Sequence, residues 1–176
     1  MIIEELGRHL LIEDRVRAEE HVHADRDFWN VISLIGPRDL AFPENYGAKS
    51  IHTERFEDVE DPCEFGSVRS VHLKRIFAYV DALDFTEPIL IHCTLGLSRS
   101  PAVMLGVIAR SLYLDGEDAP VPKALDILIQ LRPIAGPNML VARLAFEQFL
   151  PSVEVEIALE MVRSDNVLKG NRFHRS

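Results

Sequence analysis

The sequence predicts an α/β fold, with a central, mostly parallel sheet of about 4–5 strands flanked by helices. Three features predict it. The run "PILIHC" at 88–93 is almost continuously apolar, the pattern of a strand covered on both faces. Two β-branched and apolar runs precede it, "WNVISLI" from Trp29 and "SIHTERF" from Ser50. Beyond Arg99 every segment reads as helix. A chain of 176 residues that is 47% hydrophobic suits one unit with a continuous core.

In chain order, "IIEEL" and "HLLIE" give weaker strand signals ahead of the runs at Trp29 and Ser50. Ser67 then reads as the cap of a crossover helix, in which Val68, Val71, Leu73, Ile76, Phe77, Val80 and Leu83 recur at helical spacing. After the strand at 88–93 come "SPAVMLGVIARSLYL", "PKALDILIQL" with Pro122 near its first turn, and "PNMLVARLAFEQFL" behind an "AGP" break. "SVEVEIALEMV" carries an amphipathic pattern, and "RSDNVLKGNRFHRS" reads as a polar tail that frays.

A net charge of -9 argues against a broad surface for nucleic acid or an anionic membrane, so an anionic substrate would have to meet a local basic spot. The N-terminal "MIIEELGRHLLIED" lacks the features of a secretory signal, and the run "PAVMLGVIA" falls far short of the roughly twenty residues that span a bilayer. Two cysteines make no disulfide framework. Free thiols fit a reducing, cytoplasmic setting.

Those two cysteines open octets with one skeleton, "CEFGSVRS" at Cys63 and "CTLGLSRS" at Cys93. An anion-binding loop needs converging backbone N–H groups, a helix N-terminus behind it and no competing negative charge. The Cys93 octet meets these conditions: it follows the apolar strand, holds no acid, and runs into a helix starting between Ser98 and Pro101. Gly96 lets it turn tightly. The Cys63 octet follows "EDVEDP" and contains Glu64, so Arg69 and Ser70 are assigned to the exposed first turns of the crossover helix.

A thiol beside a helix N-terminus and a cation can be ionised at neutral pH. Cys93, ringed by the amides of Thr94, Leu95, Gly96, Leu97, Ser98 and Arg99, could attack a phosphorus atom held by those amides and the Arg99 guanidinium, giving a phosphocysteine that water later hydrolyses. Ser100 would hydrogen-bond the sulfur as it leaves, and His92 would orient the loop through its backbone.

"HCTLGLSRS" resembles the active-site signature of the cysteine-dependent protein tyrosine and dual-specificity phosphatases: His-Cys, five residues, Arg, then Ser or Thr. The resemblance extends to the "FED" turn and to "RPIAGPN" at Arg132–Asn138, similar to a turn near the catalytic loop of that family. It implies a protein tyrosine phosphatase-like fold, a catalytic domain over 1–150 of the compact dual-specificity or bacterial type, and a C-terminal helix and polar tail over 151–176 within the same unit. The family's general acid is an Asp at the end of the preceding strand; Asp58, in the "FED" context, is favoured, with Asp61 as the alternative. Asn138 is implied as a supporting residue.

The resemblance further implies a phosphorylated protein or an aryl phosphate as substrate, phosphotyrosine preferred over phosphoserine, and phosphate, sulfate or vanadate as occupants of the site. Pro37, Arg38, Phe42, Tyr46 and Phe65 are candidate rim residues. Cys63 is a candidate for a protective disulfide with Cys93. No cofactor is implied and no metal either, because "HVHAD" offers His21 and His23 without a third ligand. A phosphotyrosine-binding module without turnover and a rhodanese-like sulfurtransferase remain the alternatives.

Overall fold

In a computed structural model describing residues 2, 3 and 6–173, five strands form one sheet: β1 (Ile2–Ile3), β2 (Arg8–Asp14), β3 (Asn30–Ile35), β4 (Ser50–Arg55) and β5 (Ile89–Cys93). Their spatial order is β1-β2-β5-β3-β4. The last four in that order are parallel, and the two-residue β1 pairs antiparallel with the edge of β2. The last strand in sequence thus lies at the centre, between β2 and β3. Ligands in open α/β sheets bind at the carboxyl ends of the strands, where the strand order reverses, and Cys93 ends β5 there, opposite Asp14 of β2.

The helices are α1 (Arg15–Ala24), α2 (Ser70–Asp81), α3 (Arg99–Leu114), α4 (Pro120–Leu131), α5 (Met139–Phe146), α6 (Ser152–Ser164) and α7 (Asn166–Phe173), with a short 3-10 turn at Glu44–Tyr46. Successive strand residues point to opposite faces. Ile89, Ile91 and Cys93 therefore join the larger core, with Ala102, Val103 and Leu105 of α3, Val141 of α5 and Leu159 of α6. Leu90 faces a smaller core of Ala18, Val22, Trp29, Val31 and Phe42 under α1. Every residue of β3 and of β5 is buried, as a strand covered on both sides requires.

Three expectations change. Ser67 does not cap the crossover helix: α2 begins at Ser70, Arg69 holds the cap position with its N–H donating to His72 Nδ1, and the Ser67 hydroxyl is buried without a partner among the described residues. The segment after 163 is not a fraying tail. Asp165 accepts from the N–H groups of Val167 and Leu168, starting α7, and Leu168 is fully buried. A single buried leucine among the described side chains of 166–171 is too faint a periodic signal to read from sequence; residues 174–176 of the expected tail lie outside the described residues. Finally, α1 had no counterpart in the sequence reading, because only Ala18 and Val22 of its ten residues are buried; its one local signal is Asp14, which caps it through Arg17 N–H at 3.0 Å.

No helix among the described residues is long and apolar enough to cross a membrane.

Candidate active site

Residues 94–98 leave the end of β5, cross over Cys93 and enter α3 at Arg99. Gly96 makes this path possible. Its φ is +67°, and a Cβ there would lie 2.5 Å from the carbonyl carbon of Glu13 and 2.6 Å from the Asp14 nitrogen. Only glycine lets the loop press against the end of β2.

Cys93 Sγ accepts from the Gly96 N–H and from the Ser100 hydroxyl, each at 3.2 Å. Burial pushes its thiol up, yet hydrogen bonds from the Ser100 side chain and backbone, the Arg99 charge and the Gly96 amide together bring it below the ordinary thiol value. Only 3% exposed, Cys93 still lines the floor of a cleft of about 800 Å³ together with Asp58, Glu60, Thr94, Leu95, Leu97, Ser98, Arg99, Gly136 and Asn138.

Arg99 is held at both tips, Nη1 donating to Phe56 O at 2.8 Å and Nη2 to Thr94 Oγ1 at 2.9 Å. Its Nε is buried with no partner among the described residues. A buried guanidinium N–H left unpaired in a cleft is costly unless an acceptor meets it. Arg99 is the one basic side chain among the residues that line the cleft.

His92, on the opposite face of β5, packs on Phe42 with ring centroids 4.8 Å apart and places Nδ1 3.4 Å from Cys93 O. Burial lowers its pKa to about 4, so the ring is neutral at pH 7.

Asp58 stands at the mouth, where Oδ1 accepts from Ser98 Oγ at 2.6 Å and from Asn138 Nδ2 at 2.9 Å. Asn138 also caps α5 through Val141 N–H and sends its own N–H to Ser98 O. One residue thereby joins the acidic loop, the Cys93 loop and a helix N-terminus. Asp61 turns elsewhere, accepting from Cys63 N–H at 2.8 Å, and does not line the cleft.

No known family profile matches the chain, nor does any curated protein sequence. Solved structures do match. The Yvh1 phosphatase domain from Chaetomium thermophilum aligns with a TM-score of 0.58 at 21% identity, over 80% of this chain and 89% of that one. Human DUSP28 aligns at 0.55 and 21%, over 86% and 94%. OH1 from the Orf virus, a tyrosine phosphatase, aligns at 0.53 and 18%, over 82% and 84%. The chain has the protein tyrosine phosphatase fold.

Within this fold the rim differs from the expected one. Phe42 is 2% exposed and packs against His92, and Tyr46 is half-buried in the smaller core, so neither borders the cleft. Phe65 is 83% exposed but lies outside it, as do Pro37 and Arg38. The lip is formed instead by Leu95, 66% exposed, and the half-buried Leu97. Aromatic type alone did not reveal which loop side chains the core would claim. Cys63 is free and exposed, and it too lies outside the cleft.

The sequence reading missed residues that hold the loop from behind. Arg132 Nε donates to Gly96 O at 3.2 Å and its Nη1 to Glu13 Oε2 at 3.0 Å. Glu60 lines the cleft and accepts from Met139 N–H at 2.7 Å. Arg132 lay within the quoted "RPIAGPN" turn, whereas Glu13 carries no local signal.

Proposed function

We propose that the protein is a phosphomonoester hydrolase, a protein tyrosine or dual-specificity phosphatase acting through a phosphocysteine. The observation that carries this reading is a buried thiol of lowered pKa on the floor of a cleft that Arg99 also lines, its Nε buried without a partner among the described residues. Cys93 Sγ attacks phosphorus as the P–O bond to the leaving group breaks, while Arg99 and the amides of 94–99 bind the phosphoryl oxygens. Asp58 gives its proton to the departing oxygen. Asp58 then takes a proton from water as the new O–P bond forms and the S–P bond breaks, with the Ser100 hydroxyl donating to the departing thiolate. No metal or cofactor takes part in this scheme. A reducing compartment such as the cytoplasm would keep Cys93 competent.

Asp58 is the proposed acid because it alone of the two candidates lines the cleft. The apolar lip of Leu95 and Leu97 supports preference for an aryl phosphate, whose ring it can contact. The test is phosphate release from 4-nitrophenyl phosphate and from phosphotyrosine and phosphoserine peptides, in EDTA. Cys93→Ser should remove at least about 10³-fold of the turnover. Asp58→Ala should cost about 10²-fold on the phosphotyrosine peptide and less on the nitrophenyl ester, whose leaving group needs no proton, while Asp61→Ala stays near wild type. Retained turnover in Cys93→Ser overturns the mechanism; loss in Asp61→Ala alone moves the acid; equal rates on the two peptides remove the aryl preference.

A further inference from the structure

The turn at 132–138 contains Pro133 and Pro137, which have no N–H, so it has fewer donors of its own to offer its carbonyls. Inside the turn Ala135 N–H bonds Arg132 O. The carbonyls of Pro133 and Ala135 are met from the far end of the chain: Asn171 of α7 sends Nδ2 to Pro133 O at 2.9 Å and to Ala135 O at 2.7 Å.

The other side of this turn meets the Cys93 loop. Arg132 Nε reaches Gly96 O, Gly136 N–H reaches Leu97 O at 2.8 Å, and Asn138 N–H reaches Ser98 O at 3.3 Å. Three successive loop carbonyls are therefore drawn outward by one turn. In a planar trans peptide the C=O of one residue and the N–H of the next point in opposite directions. Drawing out the carbonyls of 96, 97 and 98 turns the N–H groups of 97, 98 and 99 the other way, away from the turn. Asn138 extends the same turn to Asp58.

We infer that α7 works as a clamp on the anion-binding loop, with Asn171 as a positioning residue that holds the 132–138 turn against the carbonyls of Gly96, Leu97 and Ser98. This deepens the phosphatase reading and rests on it. Leu168, fully buried, and the Asp165 cap anchor α7 itself, so the clamp hangs on the body of the protein and not on the substrate. The helix at 166–173 thereby acquires a part in the site that the sequence did not suggest.

The experiment uses the full chain and reads ionisation of Cys93 directly, from the pH dependence of its alkylation by iodoacetamide, with mass spectrometry separating it from Cys63. Asn171→Ala removes both donors, and Asn171→Asp removes them at nearly constant size. In each variant the alkylation midpoint should rise by about half a pH unit or more, as the loop from Gly96 to Arg99 loosens around the sulfur, and kcat/KM for 4-nitrophenyl phosphate should fall about 5- to 10-fold. Asn171→Gln, which keeps the amide, should recover part of both. Val155→Ala, buried in α6 and outside both the turn and α7, supplies the control for a general loss of stability, checked by Tm.

A low midpoint in the wild type that Asn171→Ala and Asn171→Asp leave unchanged overturns the clamp while sparing the phosphatase reading. An equal shift in Val155→Ala also overturns it, since the effect would then be one of global stability. A wild-type midpoint at the ordinary thiol value overturns the phosphatase reading, and the clamp with it.

Discussion

The octets at Cys63 and Cys93 share four residue types at the same spacing, and both run into a helix, yet the structure puts them to opposite uses. Arg69 and Ser70 open α2 as Arg99 and Ser100 open α3. Both central glycines are left-handed, Gly66 at φ +77° and Gly96 at φ +67°. The divergence begins at the cysteine. Cys93 ends a buried central strand and receives Gly96 N–H and Ser100 O–H, whereas Cys63 sits on an exposed turn after a stretch, 57–62, that holds four acidic residues, and its N–H goes to Asp61. Arg99 is 5% exposed and anchored to Phe56 O; Arg69 is exposed. Ser70 accepts from Gln148 Nε2 and never meets a sulfur. A local pattern gathers donors around a sulfur only where a strand end supplies burial and neighbouring elements fix those donors.

Substitutions made in pairs sharpen or break that contrast. The largest difference is expected for arginine: Arg99→Lys loses the planar, two-sided grip and should lower kcat/KM for 4-nitrophenyl phosphate by about 10³-fold, while Arg69→Lys stays near wild type. Next come the glycines. In Gly96→Ala the new Cβ meets the backbone of Glu13 and Asp14, which cannot yield, and turnover should fall about 10²-fold; in Gly66→Ala it meets the Glu57 side chain at 2.7 Å, which can swing aside, leaving a modest loss of stability and near-normal turnover.

The smallest effect belongs to the serines. Ser100→Ala removes a hydrogen bond that lowers the Cys93 thiol, so the folded-state pKa rises. Activity requires the thiolate and grows as pH climbs through that pKa; the rising limb of the pH profile should therefore move to higher pH, with a loss of about 10-fold at pH 6 that narrows as the solution becomes alkaline. Ser70→Ala should leave the profile where it is. A matching shift in both serine variants, or equal losses in both arginine variants, would mean that the two octets are not functionally distinct.

Much of this contrast was legible before any coordinates. The apolar run at 88–93, the absence of acids from 93–100 and the early proline at 101 separate the two octets, because burial of a strand and repulsion of an anion depend on residue type alone. Asp58 could be preferred over Asp61 from its place at the strand end. Phe42 and Tyr46 could not be placed, since an aromatic ring in a loop suits a rim and a core equally well until its neighbours are known. The helix at 166–173 escaped notice for a related reason: besides the Asp165 cap, what holds it is the buried Leu168 and contacts with residues over 30 positions away.

By itself the sequence determined the sheet-and-helix alternation, the central strand and the Cys93 loop with its arginine, because side-chain periodicity, charge and glycine placement act over a few residues. The tertiary structure alone decided that Glu13, Arg132, Asn138 and Asn171 converge behind the loop and aim its peptide groups. Hydrogen bonds between segments separated by up to 119 positions leave no trace in local composition, since each donor is an ordinary polar residue until the fold brings its acceptor within 3 Å.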